Sequence, residues 1–336
     1  MRRLVFTTAL GLVTAVLAPV PVGPGGAAAD TAEEPLRTAG EAAQRTSFTG
    51  VLQIRWLAAG SEQTKTLSVH GANGSVVVRG GGSAAMALPT QRLVEHGGEW
   101  DLMWPVPQGG AERPDASRKY QLTPKDGPAV AGRATRLVEV HHGPSLIERL
   151  YLDDESGLLL RREQFERGAG PVRSIGFDTV TIGSLTPPTD APGAVVDFAP
   201  SPVVAHRVPD KVSAPGRLPE GYERLGVYRR SGVHHVRYSD GLYDLSVFQE
   251  SGRLNRKGIP GGTPVAIGPG QGWHHVWPGG HLLLWEAKGV VYTAVSDAPL
   301  DQVLTAVRAL PVTTGSSSLF SRLRRVARSL VQPLAD

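Results

Sequence analysis

The stretch from Val233 to Phe248, VHHVRYSDGLYDLSVF, alternates in polarity on both sides of an Asp-Gly pair, which is the pattern of a β-hairpin. Asp-Gly is preferred in a two-residue type I′ turn. With Asp240-Gly241 at the tip, the spacing predicts Ser239 opposite Leu242. Tyr238 then faces Tyr243 and Val236 faces Leu245 on one side, while Arg237 faces Asp244 and His235 faces Ser246 on the other. A slip of one residue would mix the two sets. On this reading Tyr238, Ser239, Asp240, Gly241 and Leu242 serve turn and register, and nothing in the hairpin is catalytic.

Much of the remaining chain has the same character. Apolar residues alternate or run in short blocks over 48–56, 66–70, 76–79, 92–96 and 100–104, then over 133–142, 147–152, 158–165 and 173–182. Turn sequences such as Ala72-Asn73-Gly74, His96-Gly97-Gly98 and Asp154-Glu155-Ser156-Gly157 separate them. This predicts one long, curved antiparallel sheet. A helix over 31–45 precedes it, with Leu36, Ala39 and Ala43 on one face. One helix covers only part of such a sheet and leaves a concave face.

From Leu185 to Arg217 seven prolines interrupt the chain, as in a semi-rigid connector. Strands over 264–267, 272–277, 281–285 and 290–295 follow. A last helix has Asp297 as its N-cap, Pro299 in its first turn and Val303, Ala306, Val307 and Leu310 on its buried face. The expected divisions are a signal over 1–29, a first domain over 30–184, a linker over 185–217, a smaller α+β domain over 218–312, and a flexible segment plus helix over 313–336.

The chain begins Met1-Arg2-Arg3, continues with an apolar run from Leu4 to Val20, and reaches Ala27-Ala28-Ala29 before Asp30. That is the form of a secretory signal cleaved between Ala29 and Asp30. An uncleaved anchor is the alternative, since the run matches the shortest spanning helix, ~17 residues. Either way the bulk of the chain is expected outside the cytoplasm. There is no cysteine, which excludes disulfides, thiolate metal sites, a cysteine nucleophile and a lipidation cysteine. Arg2, Arg3 and the excess of arginine after Ser316 account for more than the whole formal charge of +4, so the body is near neutral. A nucleic-acid binder carries a basic patch on its folded part, and no nucleic-acid partner is expected.

Two blocks carry a resemblance. HVRYSDGLYDLSVFQESG, preceded by LPEGYERLGVYRR, and the earlier VAGRATRLVEVHHGPSLIERLYLDDESGLLLRREQFE resemble the two domains of the RseB/MucB family. The motifs are Leu218-Pro219-Glu220-Gly221-Tyr222, Val236 through Leu242, and Ser246-Val247-Phe248-Gln249-Glu250. In the earlier block they are Ala131-Gly132-Arg133, Arg149 through Asp153, and Ser156 through Arg161. The resemblance implies an α+β protein whose N-terminal domain is a curved, antiparallel, unclosed β-barrel of the LolA/LolB type with few helices. It further implies an extracytoplasmic regulator that binds the outer segment of a membrane anti-sigma factor and protects it from proteolysis. The first domain would sense lipid or lipoprotein. A carrier or scavenger of lipids or lipoproteins with no such partner is the rival reading.

No Gly-x-Ser-x-Gly elbow, His-Glu-x-x-His pair or phosphate-binding Gly-Lys-Ser/Thr loop is present, so neither an enzyme nor a cofactor is expected. The glycine-rich 258–262 and 268–272 are read as turns. His141-His142, His234-His235 and His274-His275 are adjacent pairs, and neighbours on a strand point to opposite faces, so no pair chelates one metal. Outer-face positions are expected for them. Trp56, Trp100, Trp104, Phe165 and Phe177 would line an acyl-chain pocket in the first domain or form its core. In the tail, Leu319, Phe320, Leu323, Val326, Ala327, Leu330 and Val331 share a helical stripe, with Arg322, Arg324, Arg325 and Arg328 mostly opposite. Such a helix suits an anionic membrane surface or a partner helix; docking back on its own domain is the alternative.

Overall fold

The structure is a computed structural model and describes residues 34–72, 75–80, 83–87, 114–166, 170–183, 212–230, 233–254, 262–267 and 270–310. The expected signal with Ala29 and Asp30, the strands over 92–96 and 100–104, most of the linker, and the tail with Phe320, Arg322, Leu323, Arg324, Arg325 and Arg328 lie outside the described residues.

Nine strands form the first sheet: β1 (Phe48–Ala58), β2 (Ser61–Ala72), β3 (Ser75–Gly80), β4 (Ser83–Ala87), β5 (Gln121–Val130), β6 (Arg133–His142), β7 (Ser145–Asp153), β8 (Leu159–Phe165) and β9 (Pro171–Ile182). They pair antiparallel in the order β4-β3-β2-β1-β9-β8-β7-β6-β5. Among the described residues the two end strands do not pair with each other, so the sheet is unclosed, as expected. The helix α1 (Glu34–Arg45) buries Leu36, Ala39, Ala42 and Ala43. That stripe is the one its spacing predicts.

β5 was not expected, because Pro124, Gly127 and Pro128 lie within it. Among the described residues it is an edge strand, where a proline's missing N–H need not break a ladder.

The second sheet holds β10 (Glu223–Arg230), β11 (Val233–Ser239), β12 (Asp244–Ser251), β13 (Thr263–Ile267), β14 (Gly270–Trp277), β15 (Gly280–Ala287) and β16 (Val290–Ser296), in the order β10-β11-β12-β16-β15-β14-β13. Helix α2 (Leu300–Arg308) buries Val303, Ala306 and Val307. Gly270 and Gly272, expected in a turn, lie in β14 opposite Ile267 and Val265. A Cβ on Gly272 would stand 2.9 Å from the carbonyl oxygen of Leu284. The end of the Pro-rich stretch is also part of this body. Val212, Ser213 and Ala214 are buried, and the Ser213 backbone exchanges two hydrogen bonds with the Gln249 side chain, at 2.8 and 2.6 Å. Residues 212–214 therefore pack with the second sheet.

The hairpin forms, with its register two residues from the expected one. Ser239 faces Asp244, Tyr238 faces Leu245 and Arg237 faces Ser246. A shift of two keeps every side chain on its face, so Val236, Tyr238 and Leu245 remain together. The cause is local. Asp240 does not sit in a two-residue turn; its Oδ1 accepts hydrogen bonds from the amides of Leu242 (3.1 Å) and Tyr243 (2.8 Å). Ser239 Oγ accepts from the Gly241 amide and donates to the Tyr243 carbonyl. Both side chains thus stabilise a four-residue loop in place of the tight turn.

Gly241 has φ +98, and a Cβ there would lie 2.5 Å from the Pro114 carbonyl oxygen and 2.6 Å from the Ala116 amide nitrogen. Gly132 has φ +76 and open space around it. Both Gly→Ala variants carry a backbone cost of about 1–2 kcal/mol. Gly241→Ala is expected to lose measurably more than Gly132→Ala in denaturant unfolding, because only it meets the backbone of the other half. Equal losses would show that the close approach contributes nothing.

Candidate functional site: a buried ionic seam

Pairing register sorts the first sheet's inner face. Leu52 pairs with Leu67 and Phe177, Ile54 with Ile175, and Trp56 with Arg173. Arg162 lies between Ile175 and Leu150, and Gln164 between Arg173 and Glu148. One face therefore carries apolar side chains at one end and Glu148, Arg162, Gln164 and Arg173 at the other. All four of these are buried. The residues that bury them come from the second sheet.

Asp297, just after β16, is the centre of the first contact. Its Oδ2 accepts from Arg162 Nη1 at 2.8 Å, and its Oδ1 from the Asp244 amide at 2.9 Å. Its carbonyl oxygen accepts from Gln164 Nε2 at 2.9 Å and Arg173 Nη2 at 2.8 Å. Arg162 turns its other edge to Glu148 in a two-pronged pair, 2.6 and 2.7 Å. Such fork geometry fixes orientation as well as distance. Two guanidiniums and two carboxylates are buried together, so their formal charges cancel. Burial pulls the Arg162 proton affinity down, but Glu148 and Asp297 outweigh it and hold that guanidinium well above its usual range. Burial, with Arg162 alongside, lowers Arg173 to about 10. Gly280 makes room for Arg173: an added Cβ would be 2.5 Å from Nη1.

The second contact is the hairpin tip. A 3-10 turn at Ala116–Arg118, capped by Asp115 through the Ser117 amide (2.8 Å), delivers Lys119 and Tyr120 just ahead of β5. Asp240 Oδ2 accepts from Tyr120 Oη at 2.5 Å, Lys119 Nζ at 2.9 Å and Gln302 Nε2 of α2 at 2.6 Å. Lys119 also donates to the Glu220 carbonyl at 2.7 Å. Burial first, and then the Asp240 charge, drives the Tyr120 hydroxyl far above its ordinary range, so it stays protonated and donates. One carboxylate thus joins the lead-in to β5, the β11–β12 loop and α2.

Asp240 and Gly241, read from the sequence as turn residues only, are therefore docking residues. Tyr238 and Leu242 are fully buried packing residues, and Ser239 shapes the loop. Asp297, expected to cap α2, does not: Pro299 holds the N-cap position without a side-chain bond. Of the aromatic set, Trp56 and Phe177 share the inner face, Phe177 edge-on to Phe48 at 5.6 Å. Phe165 does not join them. It is half-buried under the Arg149 guanidinium, 5.2 Å away, on the outer face. Trp100 and Trp104 lie outside the described residues. His235 and His275 are buried; His235 keeps the face opposite Val236 and Tyr238, as expected, and is covered there by stacking on Phe248 at 4.3 Å. His274 and His281 face each other with Nε2 and Nδ1 2.9 Å apart, bonded to each other and not arranged about an ion. Among the described residues no group of three or more metal-ligating side chains occurs. The seam had one legible signal. Arg162 and Gln164 share strand parity with Leu160, so charge stood where an inward position was due.

Asp297→Ala leaves two buried guanidiniums with one carboxylate, and the expected loss is roughly 3–5 kcal/mol in denaturant unfolding. The exposed Arg37–Glu41 pair of α1 supplies the control. Glu41→Ala is expected to change stability by less than about 1 kcal/mol. A loss at Asp297 as small as the control's would mean that water already reaches the seam.

No family model and no curated protein matches the chain. Among solved structures, the crystal structure of MucB is similar at 18% identity with a TM-score of 0.51, covering 85% of this chain and 98% of that one. The MucA/MucB complex of Pseudomonas aeruginosa aligns at 19% identity and a TM-score of 0.48, over 85% and 99%. MucB in complex with MucA(peri) aligns at 20% and 0.48, over 85% and 100%. The resemblance read from the sequence thus extends to the architecture, and this chain is built on the fold of the RseB/MucB family.

Proposed function

We propose that this chain is an extracytoplasmic regulator that binds the outer segment of a membrane anti-sigma factor and limits its proteolysis. The observation that carries the reading is the fold likeness to MucB, which spans nearly the whole of that chain and both sheets of this one. The family motifs at 218–222 and 236–250 support it from the sequence. MucB itself has been solved with MucA(peri).

Lipid or lipoprotein on the apolar end of the first sheet's inner face, beside Trp56 and Phe177, is the proposed release signal. Linkage sets a condition on any such signal: it frees the partner only by binding the partner-free form better. No catalytic step is invoked. The basic helix expected at 319–331 would hold the protein at an anionic membrane surface. The carrier reading shares the apolar face and differs in having no protein partner.

Affinity capture from solubilised membranes is expected to recover a single-pass anti-sigma factor. Native mass spectrometry of the same material is expected to show the two proteins in one complex. A retained acyl ligand with no protein partner would decide for the carrier.

A further inference from the structure

The second sheet holds a half-buried histidine pair that neither docking contact uses. His274 of β14 and His281 of β15 are hydrogen-bonded at 2.9 Å, with ring centroids 5.1 Å apart. His281 follows Gly280, the residue whose missing side chain admits Arg173 of the first sheet. The pair therefore sits where the two halves meet. An added Cβ at Gly280 would also lie 2.9 Å from Asp297 Cα, so pair, arginine and aspartate belong to one neighbourhood.

The charges around the pair are one-sided. From β14 itself comes His275; from β9 comes Arg173, and both disfavour a proton on the pair. The two carboxylates of the neighbouring seam, Glu148 of β7 and Asp297 after β16, are engaged with Arg162. In a neutral pair one imidazole donates and the other accepts. A further proton places a cation in the field of Arg173.

We propose that the His274–His281 pair is an acid-sensitive catch, and that its protonation separates the two sheets at the Gly280–Arg173 contact.

Both shifts agree in sign. Burial, then His275, holds His274 at about 4; burial, then His274 and Arg173, holds His281 at about 3. Both lie below the ordinary 6.5. A histidine depressed in the closed form binds fewer protons there than when exposed. Closure is therefore at full strength above about pH 6.5 and weakens as the pH falls toward the depressed values. Each histidine favours the open form by about tenfold per pH unit in that window, and the pair together by about a hundredfold.

The absence of cysteine allows a direct test on the full chain. Glu62→Cys in β2 and Ala309→Cys after α2 are exposed positions in the two halves. Donor and acceptor dyes there report separation between about pH 7.5 and about pH 5, where an unperturbed imidazole titrates. Energy transfer is expected to fall on acidification, reversibly, while the near-ultraviolet circular dichroism of the sheets is kept. His281→Asn and His274→Asn are expected to abolish the fall. An unchanged transfer, an equal fall in both variants, or loss of the dichroism at the same pH would each overturn the proposal. Should both variants fail to fold, imidazole resonances of the wild type decide. Proton uptake by the pair in step with the fall in transfer supports the catch, and uptake without that fall overturns it.

Discussion

Two carboxylates of the second sheet, Asp297 and Asp240, enter the first half of the molecule, and the join between the sheets depends on them. Each is received by donors already fixed in direction: Arg162, Gln164 and Arg173 on strands, Lys119 and Tyr120 behind a capped turn. An apolar contact tolerates sliding. A guanidinium held on one edge by Glu148 offers its remaining donors along one line only. The join is thus specified in angle as well as position. Its strength lies in paired charges, and these are groups that water solvates well once the surfaces part.

What could be read from the sequence followed from parity. Face assignment in β1, β8, β9 and the hairpin needs only alternation, and a two-residue shift of register leaves it intact. The register itself depended on whether Asp240 would adopt a tight turn or bond its side chain to the amides of Leu242 and Tyr243. A local rule cannot decide that when the same carboxylate is also claimed by Tyr120, 120 residues earlier. Asp297 is subject to the same competition: its position before Pro299 fits a helix cap, but Arg162 and the Asp244 amide take the side chain. Phe165 resembles Phe177 in type alone, since it shares strand parity with Arg161 and Glu163, which are less buried than Arg162 and Gln164. Composition names the members of a site. Distant partners choose among them.

The division of the first sheet's inner face bears on the regulator reading. Its apolar end lies toward α1, Phe48 and Phe177, and its ionic end lies under the second sheet. An occupant of the apolar end and the docking of the second sheet therefore use neighbouring stretches of one surface. Coupling between them needs no long path through the protein, since Trp56 and Arg173 are direct cross-strand partners.

An unclosed sheet has an edge, and an edge is a template on which a foreign strand can grow. Among the described residues β5 occupies one such edge with Pro124 and Pro128, which have no N–H to offer, and with Lys125 and Asp126 between them. The residues that hid this strand from a propensity reading also make it a poor substrate for pairing. An unclosed sheet is in this way protected, along that side, from polymerising through its own edge.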